Sequence, residues 1–504
     1  MPKRWRIAHH DAASIASLQR DAGVPAVVAQ LLLARGISDA ANVREFLAPK
    51  LTGLRDPAEL PGVSRAATIL HEAVESKRRI VVYGDYDADG MTATAILLSC
   101  LRLLRANADF YVPHRLDEGY GLNVDALQSL ADRGAEVIVT VDCGVASLAE
   151  ADLAAELGLT LIVTDHHQMA SRLPKAAAIV HPGIEEGAYP FAGLCGAGVA
   201  FKLAWALCQR ASRSKRVSAP MRQFLLQAVG LAAIGTVADV VPLVDENRIL
   251  VRHGLNSLQA HPTLGVAALL RQTRLHEKLQ LDGEDLGYML GPRLNAAGRL
   301  AQADIGVELL TTDDPQRADK LAQYVEELNV QRQSLERSIA RAAEKQARER
   351  FDPTRDPALV LSHHDWHAGV IGIVAGRLSD KYRKPVVVIS SDSLGVKPGI
   401  GSARSVPGFE LHKALDECSE HLASHGGHAA AAGLRVEESK IPVFRRAFCE
   451  SAARELGDGD ATAELRVDAE TALSCLTRQT VQQIETLAPF GHGNSRPVLC
   501  TSRV

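Results

Sequence analysis

Apolar runs that stop abruptly at acidic residues set the pattern of this chain. Residues 80–94, IVVYGDYDADGMTAT, place Asp85, Asp87 and Asp89 two apart directly after a β-type run. A short apolar run meeting Gly and Asp predicts a buried parallel strand emptying into a loop, with Gly90 turning the backbone before MTATAILL begins a helix. Residues 137–144, VIVTVDCG, repeat the design and end in Asp142, and residues 161–167, LIVTDHH, end in Asp165, His166 and His167. Three acids within five residues repel one another and stay ionised in a fold only with cations nearby. A single such cluster reads equally well as a solvated turn. Three buried-type strands ending in metal-ligand chemistry do not, because open α/β sheets put their sites beyond the strand carboxyl ends.

Around this block, residues 79 to about 184 alternate β-type and helical runs, which predicts a mostly parallel sheet with helices on both faces. Residues 1–75 read as short helices with polar breaks, a cap over that sheet with a packing role. Residues 195–310 read as mainly helical with two Gly-containing islands. In the first, LAAIGTVADVVPL, Asp239 sits in apolar surroundings, where a charge costs several kcal/mol unless paired or on a metal, so it is a candidate ligand. The second, LGPRLNAAGRL, offers Arg293 and Arg299, whose planar forks suit phosphate, although surface arginines are common.

Asp314 and Pro315 start a helix in which Leu321, Val325, Leu328, Leu335, Ile339 and Ala342 recur at helical spacing up to Arg350. About 35 residues span roughly 50 Å, a strut between two domains; Arg332 and Gln346 interrupt the seam that a coiled-coil dimer would need. FDPTRDP then leads into a second α/β unit, with strands ALVLSH and PVVVIS around the helix HAGVIGIVAGRLSDKY. It contains Ser402 and Arg404 in GSARS, then Gly426, Gly427 and His428 before an Ala run, predicted to present free N–H groups at a helix N-terminus as a phosphate cradle. From about Glu464 a β-like unit begins, and roughly 40 residues seldom fold without support.

Composition narrows the partners. A chain of 504 residues with 46% hydrophobic and 23% charged residues is globular, of about two to four domains. Lys and Arg number 56 against 60 for Asp and Glu, so a polyanion would need a local basic channel or metal ions. The eight cysteines form no C-x-x-C pair, which suits thiols in a reducing cytosol better than disulfides or zinc. MPKRWRIAHH is followed by no signal-peptide core, and VVAQLLLA is too short to span a bilayer. A soluble cytoplasmic protein without membrane partners is predicted.

With GDYDADG, VTVDCG, TDHH and ADVVPL in view, the chain resembles the DHH phosphoesterase superfamily. GPRLNAAGR, GSARS and SHGGHAAAAG are similar to motifs of its RecJ family of single-strand DNA exonucleases, in order from about residue 25 to the C-terminus. The resemblance implies an N-terminal helical cap (1–75), an α/β DHH domain with a mostly parallel sheet (76–312), a long connecting helix (313–351), a second α/β, DHH-associated substrate-binding domain (352–458) and the start of an incomplete OB-like β segment (459–504). It implies Asp87, Asp89, Asp142, His166 and Asp239 as metal ligands, with Asp142 bridging. Asp85 either coordinates or supports its neighbours, Asp165 orients them, and His167 faces the scissile phosphate. Oxygen-rich ligation with one imidazole suits two Mn²⁺ or Mg²⁺ ions, which activate water and neutralise the transition state.

The activity implied is 5′→3′ hydrolysis of single-stranded DNA to 5′-mononucleotides in DNA repair and recombination, the direction coming from the resemblance alone. Arg115, Arg293 and Arg299 would hold phosphates; Ser402, Arg404, Gly426, Gly427 and His428 would line the strand's path. A monomer is expected, with a helicase and a single-strand-binding protein as companions. The nearest alternative is a DHH enzyme on short oligoribonucleotides, cyclic dinucleotides or pyrophosphate, which would lack the strut and the begun barrel. A catalytically inactive interaction protein is disfavoured, since every expected ligand is present.

Overall fold

In the computed structural model, which describes residues 4–115, 118–184, 189–352, 356–392, 395–457 and 464–501, the apolar runs become strands. They are β1 (Arg4–Ile7), β2 (Ile80–Tyr83), β3 (Ala108–Tyr111), β4 (Val137–Thr140), β5 (Thr160–Thr164), β6 (Ala178–Val180), β7 (Leu359–His363), β8 (Val386–Ser390), β9 (Gly399–Arg404), β10 (Ser424–Gly427), β11 (Ala431–Val436), β12 (Glu464–Val467), β13 (Ala469–Glu470) and β14 (Leu499–Cys500). The chain divides into two compact units, Met1–Glu326 with Glu464–Val504, and Glu327–Ala463.

The first unit holds a parallel sheet of order β3-β2-β4-β5-β6. Every residue of β2 and β4 is buried, which is why these strands are unbroken apolar runs rather than alternating ones. The chain leaves β2 for β3 on one side and returns to β4 on the other, so the strand order reverses between β2 and β4. Asp85 and Asp142 emerge at that crevice. The helix after β2 is Ala88–Leu103; it starts ahead of Gly90, not after it, because Asp87 is its N-cap and Asp89 lies in its first turn. Carboxylates there take the free N–H groups and face the positive end of the helix.

The three helices Ala12–Ala22, Ala26–Leu33 and Ala40–Leu47 do not cap the sheet. Ile15, Leu18, Val27, Leu31, Leu32 and Val43 bury themselves with Ala469, Ile484 and Leu487 of the C-terminal segment, and it is the later helix Val63–Glu75 that packs on β6. β12 extends β1 in parallel, and the Arg248 guanidinium donates to the Leu487 and Ala488 carbonyls, both at 2.9 Å. The short tail thus borrows its core from the N-terminus. One described helix, Ala219–Ala238, is long and apolar enough to cross a membrane by composition; it packs among Ala88–Leu103, Gly196–Ala211 and Asp245–Ala260.

In the second unit the sheet runs β10-β11-β9-β8-β7, with β7 and β8 parallel and the other pairs antiparallel. Ala368–Tyr382 covers one face with the far part of the 36-residue helix Pro315–Arg350; Leu411–Glu417 and Ile441–Leu456 cover the other. The long helix buries Ile339, Ala340, Ala343 and Ala347, whereas Ala342 is exposed. Its polar interruptions are used: Arg332 bonds Asn329 and Glu336, and Gln346 exchanges two 3.1 Å hydrogen bonds with the Ser362 backbone on the edge strand β7. The expected boundary at 458 and 459 and residues 353–355 of FDPTRDP lie outside the described residues.

Candidate metal centre

Asp142 follows β4 in a turn whose backbone is left-handed, φ 63°, with Gly144 at φ 108°. The turn is tied down because the Thr140 hydroxyl donates to the Cys143 carbonyl at 2.7 Å and the Thr164 hydroxyl to the Thr140 carbonyl at 2.7 Å. Strain held by surrounding bonds at a strand end is a signature of functional loops. It aims the Asp142 carboxylate at His166, whose Nε2 lies 3.1 Å from Asp142 Oδ1, 3.6 Å from Asp239 Oδ2 and 3.8 Å from Asp89 Oδ2. Ligand atoms of Asp89, His166 and Asp239 lie within 4.8 Å of one another, as do those of Asp85, Asp87 and Asp142, and of Asp142, His166 and His167. Asp142 and His166 each belong to two of these groups, so residues distant in sequence form one cluster.

The cluster suits divalent cations on its own chemistry. Asp85 Oδ1, Asp142 Oδ1 and His166 Nε2 are buried without a hydrogen-bond partner, an arrangement that costs free energy unless something electrophilic lies between them. Burial and the charges of Asp89, Asp87, Asp85 and Asp239 push Asp142 well above the ordinary carboxylate value; burial and Asp87 do the same to Asp85. Burial, with Asp89 and Asp87, raises Asp239 to about 8. Burial lowers His166 and keeps it neutral, the form that ligates.

A pH dependence follows. An acid whose folded pKa lies above its unfolded value contributes stability that is complete below the unfolded value and lost as pH rises through the folded one. In chelator, melting temperature therefore falls between pH 4 and about 8, the window set by Asp239. Mn²⁺ replaces those protons, so its thermal shift grows over the same window. A shift that shrinks with rising pH, measured by scanning calorimetry, would contradict the cluster's role.

Asp89 is the best-held member: its carboxylate accepts from the Gly196 and Ala197 amides at 2.7 and 2.9 Å, at the start of helix Gly196–Ala211. Asp165 accepts from the Val145 amide at 2.9 Å and from His167 Nδ1 at 2.8 Å, and so orients rather than joins the cluster. Burial opposes the charge on His167, but the bond and charge of Asp165, with Asp239 and Asp85, raise it to about 9. His181, buried, donates from Nε2 to the His167 carbonyl at 2.8 Å while its Nδ1 accepts from the Gly183 amide.

Comparison with known proteins matches residues 79–236 to the DHH family, N-terminal domain, residues 355–454 to the DHHA1 domain and residues 467–504 to the RecJ OB domain. The chain is 38% identical over 497 residues to the single-stranded-DNA-specific exonuclease RecJ of Bacillus subtilis, covering 98% of this chain and 61% of that protein. It is 35% identical over 491 residues to Escherichia coli RecJ, covering 95% of this chain and 83% of the relative. This chain belongs to the RecJ family. RecJ of Thermus thermophilus in complex with Mn²⁺ superposes with a TM-score of 0.85 at 31% identity, covering 99% of this chain and 69% of that one. The same protein in complex with Mg²⁺ gives 0.77.

Within this chain the other candidates take varied positions. Arg115 lies over the Tyr86 ring, 4.6 Å from its centroid, and its charge reaches Asp85. Arg293 is engaged structurally: it pairs with Glu326 and donates to the Met289 carbonyl at 2.8 Å. Arg299 ends the same helix, Gly291–Arg299. GPRLNAAGR also braces the first acidic loop, because Asn295 Oδ1 accepts from the Ala88 amide at 2.8 Å and a Cβ on Gly298 would stand 1.8 Å from the Tyr86 carbonyl oxygen.

In the second unit Ser402 and Arg404 sit on β9, with Arg404 Nη1 donating to Ser402 Oγ at 3.2 Å and to the Ala403 carbonyl at 2.8 Å. Gly426, Gly427 and His428 do not precede a helix. Gly426 and Gly427 end β10, opposite Gly433 and Ala432 of β11, and His428 opens the hairpin turn. Ala429 and Ala430 form the turn, and Ala431 and Ala432 begin β11, because alternate residues, Ala432, Leu434 and Val436, are needed in the core.

Sequence reading missed Tyr120, His181, Asn295, Gly196 and Gly235. A Cβ on Gly196 would lie 2.5 Å from Asp142 Oδ1, and one on Gly235 2.4 Å from Asp89 Oδ1. Only the flanking glycines of GYG hinted at Tyr120.

Proposed function

We propose that this chain hydrolyses single-stranded DNA from its 5′ end to 5′-mononucleotides in DNA repair and recombination. The observation that carries the reading is the convergence of Asp85, Asp87, Asp89, Asp142, His166, His167 and Asp239, from separate segments, on one cluster in a chain of this family. Asp89, His166 and Asp239 would hold one Mn²⁺ or Mg²⁺ ion, Asp85 and Asp87 a second, with Asp142 shared. Such ions, when bound, supply an activated water and neutralise charge at phosphorus. The protein's own part is positional. His167, charged and fixed by Asp165, donates to the phosphoryl oxygen as negative charge grows and the sugar 3′-oxygen leaves. Asp89, anchored by two amides, is held in place against the repulsion of the neighbouring carboxylates.

Arg115 would meet the terminal phosphate, Arg299 a neighbouring one, and Ser402, Arg404, Gly426, Gly427 and His428 would meet the DNA backbone. In this reading Arg293 braces its helix through Glu326 rather than touching substrate. The chain's functional parts divide at residues 75, 312, 351 and 458, the first of them packing on the C-terminal segment instead of capping the sheet. A monomer working with a helicase and a single-strand-binding protein completes the reading, in the cytoplasm, a location that eight free thiols suit.

Digestion of long DNA labelled at either end, with Mn²⁺, is the test. Label should leave a single strand first from the 5′ end as mononucleotide, with blunt duplex at least about a hundredfold slower, a gap of ~2.7 kcal/mol in barrier. Equal rates on both, or preference for cyclic dinucleotides or pyrophosphate, would overturn the reading.

A further inference from the structure

We propose that the Tyr120 hydroxyl is a positioning group for His167, acting on the chemical step and not on metal binding; this rests on the exonuclease reading above. Tyr120 stands between Gly119 and Gly121, whose φ of 84° and 85° let the chain fold the side chain back toward the cluster. The loop is pinned on both sides. Glu118 accepts from the Tyr111 hydroxyl and the His114 amide, and the Gly121 carbonyl accepts from the buried Tyr83 hydroxyl at 3.1 Å.

The Tyr120 oxygen lies 3.1 Å from the Asp142 carbonyl oxygen and 2.9 Å from His167 Nδ1. A phenol has one proton. Given to the Asp142 carbonyl, it leaves the oxygen's lone pairs toward His167: at 2.9 Å from Nδ1 and 3.4 Å from Nε2 that oxygen lies over the imidazole face, while the Nδ1 proton goes to Asp165 at 2.8 Å. Asp165 on the Nδ1 proton and the phenol oxygen over the ring face together fix the orientation of the charged imidazole. The Nε2 proton, which Asp165 does not engage, is left for substrate.

The stack continues outward: Tyr120 meets Tyr86 edge-on at 6.5 Å, and Tyr86 lies beneath Arg115. Tyr120 touches no carboxylate oxygen of the cluster in any of these bonds, so its loss should spare metal affinity.

The experiment measures steady-state digestion of 5′-phosphorylated single-stranded DNA, and Mn²⁺ binding by calorimetry, for the parent, Tyr120→Phe, His167→Ala and the double variant. Tyr120→Phe should lower kcat about tenfold, the worth of one polar contact to a charged group, with KM and Mn²⁺ affinity held within about twofold. In the His167→Ala background it should cost nothing further, since the group it positions is gone. A parental kcat in Tyr120→Phe beside a crippled His167→Ala sinks the proposal alone. So does a further loss in the double variant, or a loss carried by KM or Mn²⁺ affinity. A parental rate in His167→Ala would instead overturn the reading of the site, and the proposal with it.

Discussion

Asp142→Asn should abolish hydrolysis of single-stranded DNA, by about a thousandfold or more, while leaving the metal-free protein as stable as the parent or more so. The two halves have one cause. Asp142 is the member common to the groups that gather His166 with His167 and Asp85 with Asp87, so its charge serves both candidate ion positions. Losing it removes several kcal/mol of transition-state stabilisation, and ~4 kcal/mol is a factor of about a thousand. In the empty site the same charge is a burden, raised far from its ordinary pKa by burial and by four neighbouring acids. Asparagine keeps the shape, lacks the charge and tolerates the left-handed backbone at φ 63° that alanine would strain. Calorimetry in chelator and turnover with Mn²⁺ read the two halves separately. A folded Asp142→Asn protein with near-parental turnover would remove Asp142 from the site.

What was legible beforehand were residues whose chemistry conflicts with their surroundings. Acids closing buried strands, or Asp239 at the end of an apolar helix, are expensive wherever the chain goes, so their purpose shows in one dimension. What stayed hidden depends on approach between distant segments. Nothing in GAGVAFKLAW announces that Gly196 must leave room for Asp142, 54 positions earlier in the numbering, nor that Arg293 would meet Glu326 rather than phosphate. The Ala run after His428 was misjudged for a related reason. Helix propensity is worth a few tenths of a kcal/mol per residue, and the need to bury Ala432, Leu434 and Val436 against a sheet outweighs it. The N-terminal helices pack on a C-terminal segment more than 400 residues away, a pairing that periodicity alone does not reveal.

Gly235→Ala is expected to be nearly as damaging as losing a ligand, although it adds one methyl group to a helix that alanine ordinarily favours. Gly235 lies one turn before Asp239, where helix Ala219–Ala238 passes closest to the first acidic loop. An ideal Cβ would stand 2.4 Å from Asp89 Oδ1, 2.6 Å from Thr92 Oγ1 and 2.6 Å from the Ala197 Cβ. None of the three can yield cheaply. Asp89 is held by two amides, the Thr92 hydroxyl donates to the Ala88 carbonyl at 2.8 Å, and Ala197 supplies one of the amides that hold Asp89. The strain must therefore move Asp89 or the helix that carries Asp239, and both are candidate ligands to the same ion. We expect a stability loss of ~1–3 kcal/mol from overpacking and about a hundredfold loss of turnover from displaced ligands. Mn²⁺ affinity should fall with turnover. Gly23→Ala separates the two effects: Gly23 has φ 70° and nothing within 4 Å of its would-be Cβ, so alanine there costs ~1–2 kcal/mol through the backbone alone. If Gly235→Ala behaved like Gly23→Ala, losing stability but keeping Mn²⁺ affinity and turnover, the close approach of these two helices would have no part in shaping the metal site.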